Sequence, residues 1–235
     1  MRLDQAFLDQ YQQHELRTHG RKNGFVTKGQ QARLEHWLPI IGLPRDAMLT
    51  SDDTDLTKRA APWVLEIGFG NGDFLVHMAQ THPEWRLIGI EIYLPSVAKA
   101  VGRLEDAEVI DRCRISQLPA QFVLEQQIPE GFLHGIVINH PDPWPKLRHH
   151  KRRLIQPEFA RLLVSRLELG GFIHLASDKP DLAEWMRDIL NATPGLHNEG
   201  VEDGFVPRDD ARPSTKFEQR GLCEGRASQF LQYRK

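Results

Sequence analysis

The chain has 235 residues, of which 40% are hydrophobic and 26% charged, with a formal net charge of −2. These values are ordinary for one α/β domain with an appendage, and they exclude binding driven by global charge alone. No apolar run approaches a membrane span, "MRLDQAFLDQYQQ" lacks the apolar centre of a secretory leader, and Cys113 and Cys223 cannot make a metal site alone. We therefore expect a cytoplasmic protein with reduced thiols, no metal and no membrane contact.

Residues 1–60 show weak periodicity and read as an N-terminal arm. Within it "TKGQQARLEHWLPII" (27–41) predicts a short helix and the acidic stretch 51–59 a linker. The domain proper is expected over 61–235. "PWVLEIGF" (62–69) is a buried strand, "GDFLVHMAQTH" (72–82) a helix, "RLIGIEIY" (86–93) a second buried strand, and "LPSVAKAVGRLEDAE" (94–108) a helix with proline near its start. "RCRIS" (112–116) is a weaker strand, followed by a helix over 119–128. "LHGIVINH" (133–140) is a strand, 157–169 a helix, "GGFIHLASD" (170–178) a strand and 180–192 a helix. The tail, "TKFEQRGL" and "ASQFLQYRK", predicts two final strands antiparallel to each other. Alternating strand and helix implies a Rossmann-like, doubly wound, mostly parallel sheet with antiparallel C-terminal strands. Such sheets bind ligands beyond the carboxyl ends of their strands.

Three motifs fall at those ends. In "EIGFGNG" (66–72), Gly68, Gly70 and Gly72 join the first strand to the first helix, with G-x-G-x-G spacing rather than the dinucleotide G-x-G-x-x-G. Glu91 ends the second strand, where a carboxylate accepts two ribose hydroxyls. Glu66 precedes the turn and suits the ammonium of an amino-acid moiety. A ribose plus an amino-acid tail without phosphates points to S-adenosylmethionine. A plain tight turn is the competing reading, because lone glycine patterns are weak signals.

The second motif is "NHPDPWPKLRHHKRR" (139–153). Pro141, Pro143 and Pro145 stiffen the loop and pre-position Asp142 at the rim of the same cleft. Lys146, Arg148, Lys151, Arg152 and Arg153 follow, enough to neutralise several phosphates; a solvated basic face is the alternative. The third group is C-terminal. Asp178 is either a strand-end acid facing the cleft or the N-cap of the helix at 180–192. On spacing alone, "TKFEQRG" reads as a charged edge strand.

In order and spacing, "EIGFGNG", "GIEIYLPS", "PDPWPK" with "RHHKRR", and "RPSTKFEQRG" resemble the bacterial tRNA (guanine-N7)-methyltransferases, from about residue 24 to the C-terminus. The resemblance implies methyl transfer from S-adenosylmethionine to a guanine of the tRNA variable loop. By matching position it implies Glu66, Gly68, Gly70, Glu91 and Asp142 at the cofactor, with Asp142 also the catalytic acid. Lys146, Asp178, Thr215, Lys216, Phe217 and Glu218 would touch substrate, and Arg148, Lys151, Arg152 and Arg153 the RNA. The partner is then tRNA, and the protein a monomer or homodimer. The chain departs from the family where an aspartate usually follows the third strand to accept from the adenine amino group: Pro119 stands there, with Gln117 and Gln121 as the nearby carbonyl acceptors. A tyrosine is also missing near Leu182, and His140 stands where an aromatic is common. A relative with weakened cofactor binding that acts on RNA as a partner protein, or a methyltransferase on a non-RNA substrate, are the rival expectations.

Overall fold

The computed structural model describes residues 24–43, 48–49 and 61–235. Of the expected arm over 1–60, residues 1–23 and the acidic linker over 51–59 lie outside them. Helix α1 (Lys28–Ile41) begins at a capping box, in which the Thr27 side chain accepts from the Gln30 backbone and the Gln30 side chain accepts from the Thr27 backbone. Then follow β1 (Trp63–Ile67), α2 (Asp73–Thr81), β2 (Arg86–Ile90), α3 (Leu94–Asp106), β3 (Cys113–Ser116), α4 (Ala120–Gln126) and β4 (Leu133–Asn139). A 3-10 turn (Leu147–Arg152) leads to α5 (Pro157–Arg166), β5 (Leu167–Ser177), α6 (Pro180–Asn191), β6 (His197–Asn198), α7 (Lys216–Cys223) and β7 (Gln229–Arg234).

The strands form one sheet in the order β3-β2-β1-β4-β5-β7-β6. The first five are mutually parallel, and β7 runs antiparallel to both β5 and β6. Every residue of β1 and β2 is buried, which explains why they read as continuous apolar runs: helices cover both faces of the sheet. One core cluster sets residues of α4, α5 and α6, such as Val123, Leu163 and Met186, against the sheet. The other uses α1, α2 and α3, through Leu34, Leu75 and Val101. Helix α1 shares that second core. Trp37 donates to Glu105 at 2.9 Å, Arg33 pairs with Glu105 and Asp106, and Leu43 N donates to Ile115 O at 3.0 Å, extending the β3 edge.

Two expectations are corrected. "TKFEQRGL" is not a strand but the helix α7. Thr215 accepts from Glu218 N while the Glu218 side chain accepts from Thr215 N, and this reciprocal pair starts a helix whatever the polar alternation beyond it. The helix expected over 157–169 stops at Arg166, because Leu167 enters β5 with its side chain fully buried. Strand order reverses between β1 and β4, so a crevice opens beyond their carboxyl ends.

Candidate active site

The glycine turn leaves β1 with Gly68, Gly70 and Gly72 all at positive φ (76°, 56° and 82°). They do different work. A Cβ on Gly72 would lie 2.6 Å from the Ala100 side chain, so this glycine lets α2 close on α3. At Gly68 and Gly70 a Cβ would meet nothing within 4 Å, so these two line open space. Glu91 is locked over that space: one oxygen accepts from Gly70 N at 3.1 Å and the other from Tyr93 N at 2.9 Å. Burial pushes its carboxyl upward, the Tyr93 and Gly70 backbone donors pull it down, and the charge of Asp142 pushes it up again.

Glu66, on β1, is 1% exposed and close enough to Glu91 for that charge to act on it. Burial pushes its carboxyl up to about 8, against the lowering effects of the Asn139 hydrogen bond and the Arg212 charge. Asn139 Nδ2 donates to Glu66 Oε1 at 3.3 Å, while Oε2 is buried with no partner among the described residues. On its other side Asn139 Oδ1 accepts from Arg212, whose guanidinium lies 4.7 Å from the Phe74 ring and 5.0 Å from the Phe230 ring. Neither Asn139 nor Arg212 stands out in the sequence. A polar residue at the end of the apolar run "GIVIN", and an arginine opening "RPSTKFE", are the available signals.

Asp142, half-buried, sits three residues beyond β4, near enough to Glu91 for its charge to be felt there. Its loop is held hard. His140 and Trp144 take positive φ (49° and 39°), a region that side chains other than glycine adopt at a cost. Trp144 is 7% exposed, so its burial offsets that cost, and the Arg152 guanidinium covers its ring at 4.9 Å. Arg153 braces the loop from beneath. It is 1% exposed, donates from Nε to Pro143 O at 3.1 Å, reaches Asp181 at 2.5 Å and stacks on Trp185 at 5.2 Å.

The basic run is therefore two things, and the expectation that all of it faces a ligand is corrected. Arg153 points inward, because the loop's backbone carbonyl needs a buried donor; Arg152 lies on Trp144 but stays partly exposed. Lys146, Arg148 and Lys151 are exposed and follow Asp142 in the chain by four to nine residues.

Asp178 is not a helix cap. Lys179 is the N-cap of α6, and Ser177 Oγ accepts from Lys179 N. The Asp178 carboxylate instead pairs with Arg226 at 2.8 Å and stands 3.8 Å from His140 Nδ1. Thr215 and Glu218 are occupied with the α7 cap, and Glu218 also accepts from Arg208 at 2.6 Å. Phe217 is 57% exposed, its ring stacked toward His140 at 6.2 Å. The Lys216 side chain lies outside the described residues. The structure thus brings Glu66, Gly68, Gly70, Glu91 and Asp142 to one crevice. His140 joins Asp178 to Phe217, and Asn139 joins Glu66 to Arg212 and so to the segment that opens α7. Pro119 is the N-cap of α4 and offers no side-chain acceptor, while Gln117 is half-buried beside the end of β3.

Open space over Gly68 and Gly70, an orphaned buried carboxylate oxygen on Glu66 and a fixed carboxylate on Glu91 fit a ribose with an amino-acid tail. Among the described residues no helix is long and apolar enough to cross a membrane.

Comparison with known proteins agrees with this architecture. A solved structure of TrmN from Thermus thermophilus superposes with a TM-score of 0.52 at 15% identity, over 88% of this chain and 48% of that one, and shows the shared fold. A family model described as "Putative methyltransferase" matches residues 60–231. The tRNA (guanine-N(7)-)-methyltransferase of Alkalilimnicola ehrlichii is 45% identical over 94% of this chain and 92% of its own length. That of Idiomarina loihiensis is 43% identical over 93% and 89%. With identity of this extent over nearly the whole chain, the protein belongs to the tRNA (guanine-N7)-methyltransferase family, whose members use a methyl donor of the S-adenosylmethionine type.

Proposed function

We propose that the protein methylates N7 of a guanine in the variable loop of tRNA, using S-adenosylmethionine. The observation that carries this reading is the placement of Asp142: a carboxylate on a braced loop, close enough to Glu91 for its charge to act there, with Lys146, Arg148 and Lys151 exposed on the segment that follows it. When bound, the donor supplies a sulfonium methyl. Glu91 would hold its ribose hydroxyls and Glu66 its ammonium.

Guanine N7 carries a lone pair and no proton, so its methylation requires no general base. The protein has two tasks: to align N7 with the methyl group, and to oppose the positive charge that builds on the imidazole ring. Asp142 serves both, by accepting from donors on the guanine edge and by lying close to the growing cation. The stiffness supplied by Trp144, Arg152 and Arg153 fixes that carboxylate before substrate arrives, so little ordering remains to be done in the transition state. Lys146, Arg148 and Lys151 would bring the phosphate backbone to it. Asp178 and Phe217 line the route beyond His140, a position suited to the RNA rather than to the donor. On this reading the protein is cytoplasmic and acts as a monomer or homodimer.

Pro119 favours a modified version of the same reading. With no aspartate after β3, the adenine amino group is left to Gln117 or to backbone carbonyls, and donor affinity is lower than an aspartate would give. The test is incubation of purified protein with labelled donor and unmodified tRNA, then nucleoside digestion. Label in 7-methylguanosine is expected. Label in another nucleoside, or none in RNA despite donor binding, would overturn the assignment.

A further inference from the structure

Among the buried polar atoms left unpaired in the described residues, two lie on either side of Asn139, and they are of opposite kind. Glu66 Oε2 is an acceptor without a donor, and Arg212 Nε is a donor without an acceptor. They belong to residues on either side of one amide, since Asn139 donates to Glu66 and accepts from Arg212. Unpaired buried groups of this kind are rare in folded proteins and are satisfied by a ligand where one binds. A ligand that satisfies both must carry a donor and an acceptor a short distance apart. The α-amino-carboxylate end of an amino acid is such a group.

We propose that Arg212 binds the carboxylate of the methyl donor's amino-acid tail, opposite Glu66, which takes the ammonium, with Asn139 setting the gap between them. This rests on the reading of the crevice as a methyl-donor site. Arginine suits the role because its planar fork matches a carboxylate, and because its charge persists in a partly buried site where a lysine would readily lose its own. The Phe74 and Phe230 rings both lie against the guanidinium, at 4.7 and 5.0 Å. Burial, and to a lesser extent the neighbouring Arg208, disfavour the charge on Arg212, while Glu218, Glu66 and Asp209 favour it. The same residue carries a second connection. Its backbone oxygen accepts from Arg208, which pairs with Glu218 of the α7 cap. The donor's tail thus meets the end of the segment expected to touch RNA.

The test is calorimetric titration of the full chain, without RNA, using three probes: S-adenosylhomocysteine, its decarboxylated analogue, and 5′-methylthioadenosine, which lacks the amino-acid tail. The wild type should prefer S-adenosylhomocysteine over the decarboxylated analogue by roughly 10- to 100-fold, the range of a charge-assisted hydrogen-bond pair. Arg212→Gln should abolish that preference and leave 5′-methylthioadenosine affinity unchanged; Arg212→Lys should retain part of the preference. Equal weakening of all three probes in both variants would make Arg212 a prop for the fold and overturn the proposal. So would a wild type that does not distinguish the carboxylate. A wild type that binds none of the three would instead defeat the methyl-donor reading itself.

Discussion

Glu66→Gln should stabilise the ligand-free protein at high pH and not at low pH. Burial moves this carboxyl from 4.5 to about 8. Between those values the folded protein holds a proton that the unfolded chain has released, so stability falls as pH rises from about 4.5 to 8 and levels off above. At about 1.4 kcal/mol per pH unit, the full loss is roughly 5 kcal/mol. Glutamine keeps the acceptor that Asn139 uses and removes the titration. It places an amide donor where Oε2 has no partner, at a cost of about 1–3 kcal/mol. The ligand-free variant should therefore be less stable than wild type at pH 5 by up to about 2 kcal/mol and more stable at pH 9 by about 2–4 kcal/mol. Tm should cross over accordingly, at about 2–4 °C per kcal/mol for a chain of this size. The assay is urea or thermal unfolding of both proteins at pH 5 to 9. The difference curve isolates Glu66, because His140 and His174, whose buried rings are pushed down and so favour folding as pH rises, are common to both. A difference curve that is flat, or that slopes the other way, would refute the account of Glu66.

Two further outcomes separate the halves of the basic run. Arg148→Ala with Lys151→Ala should leave stability unchanged and reduce the salt dependence of tRNA binding, lowering the log–log slope by roughly 0.7–0.9 for each phosphate no longer neutralised. Filter binding at several salt concentrations measures this, and an unchanged slope would return those residues to a solvated face. Arg153→Ala should act on the fold. It strands Pro143 O and removes the Trp185 stack, together about 2–4 kcal/mol, and so lowers turnover through a loosened Asp142 loop. Calorimetric unfolding reads the destabilisation, and Arg153→Lys should not restore it, because an ammonium cannot stack and fork together.

The parallel core is legible in the sequence because each of its central strands is buried on both faces, so Trp63–Ile67 and Arg86–Ile90 are mostly apolar, broken only by Glu66 and Arg86. The residues on the glycine turn, with Glu91 and Asp142, are legible for a related reason: they follow strand ends, and in this fold strand ends converge. What escapes the sequence is what depends on long-range pairing. Asn139 meets Glu66 across 73 residues and Arg212 across another 73. No local pattern signals a partner at that distance. The inward turn of Arg153 is hidden for the same reason, since a run of cations reads as surface until a buried carbonyl claims one of them. Helix α7 is a different case: "TKFE" is a legible helix start, but the polar alternation that follows mimics a strand.

The most direct measurement is single-turnover methylation of unmodified tRNA by Asp142→Asn, paired with its tRNA affinity. Asparagine keeps the shape and the acceptor but loses the charge that opposes the imidazolium. Turnover should fall by about two to three orders of magnitude, the scale of losing one preorganised electrostatic group, with tRNA binding unchanged. Turnover within a few-fold of wild type would contradict the account and remove Asp142 from the reaction.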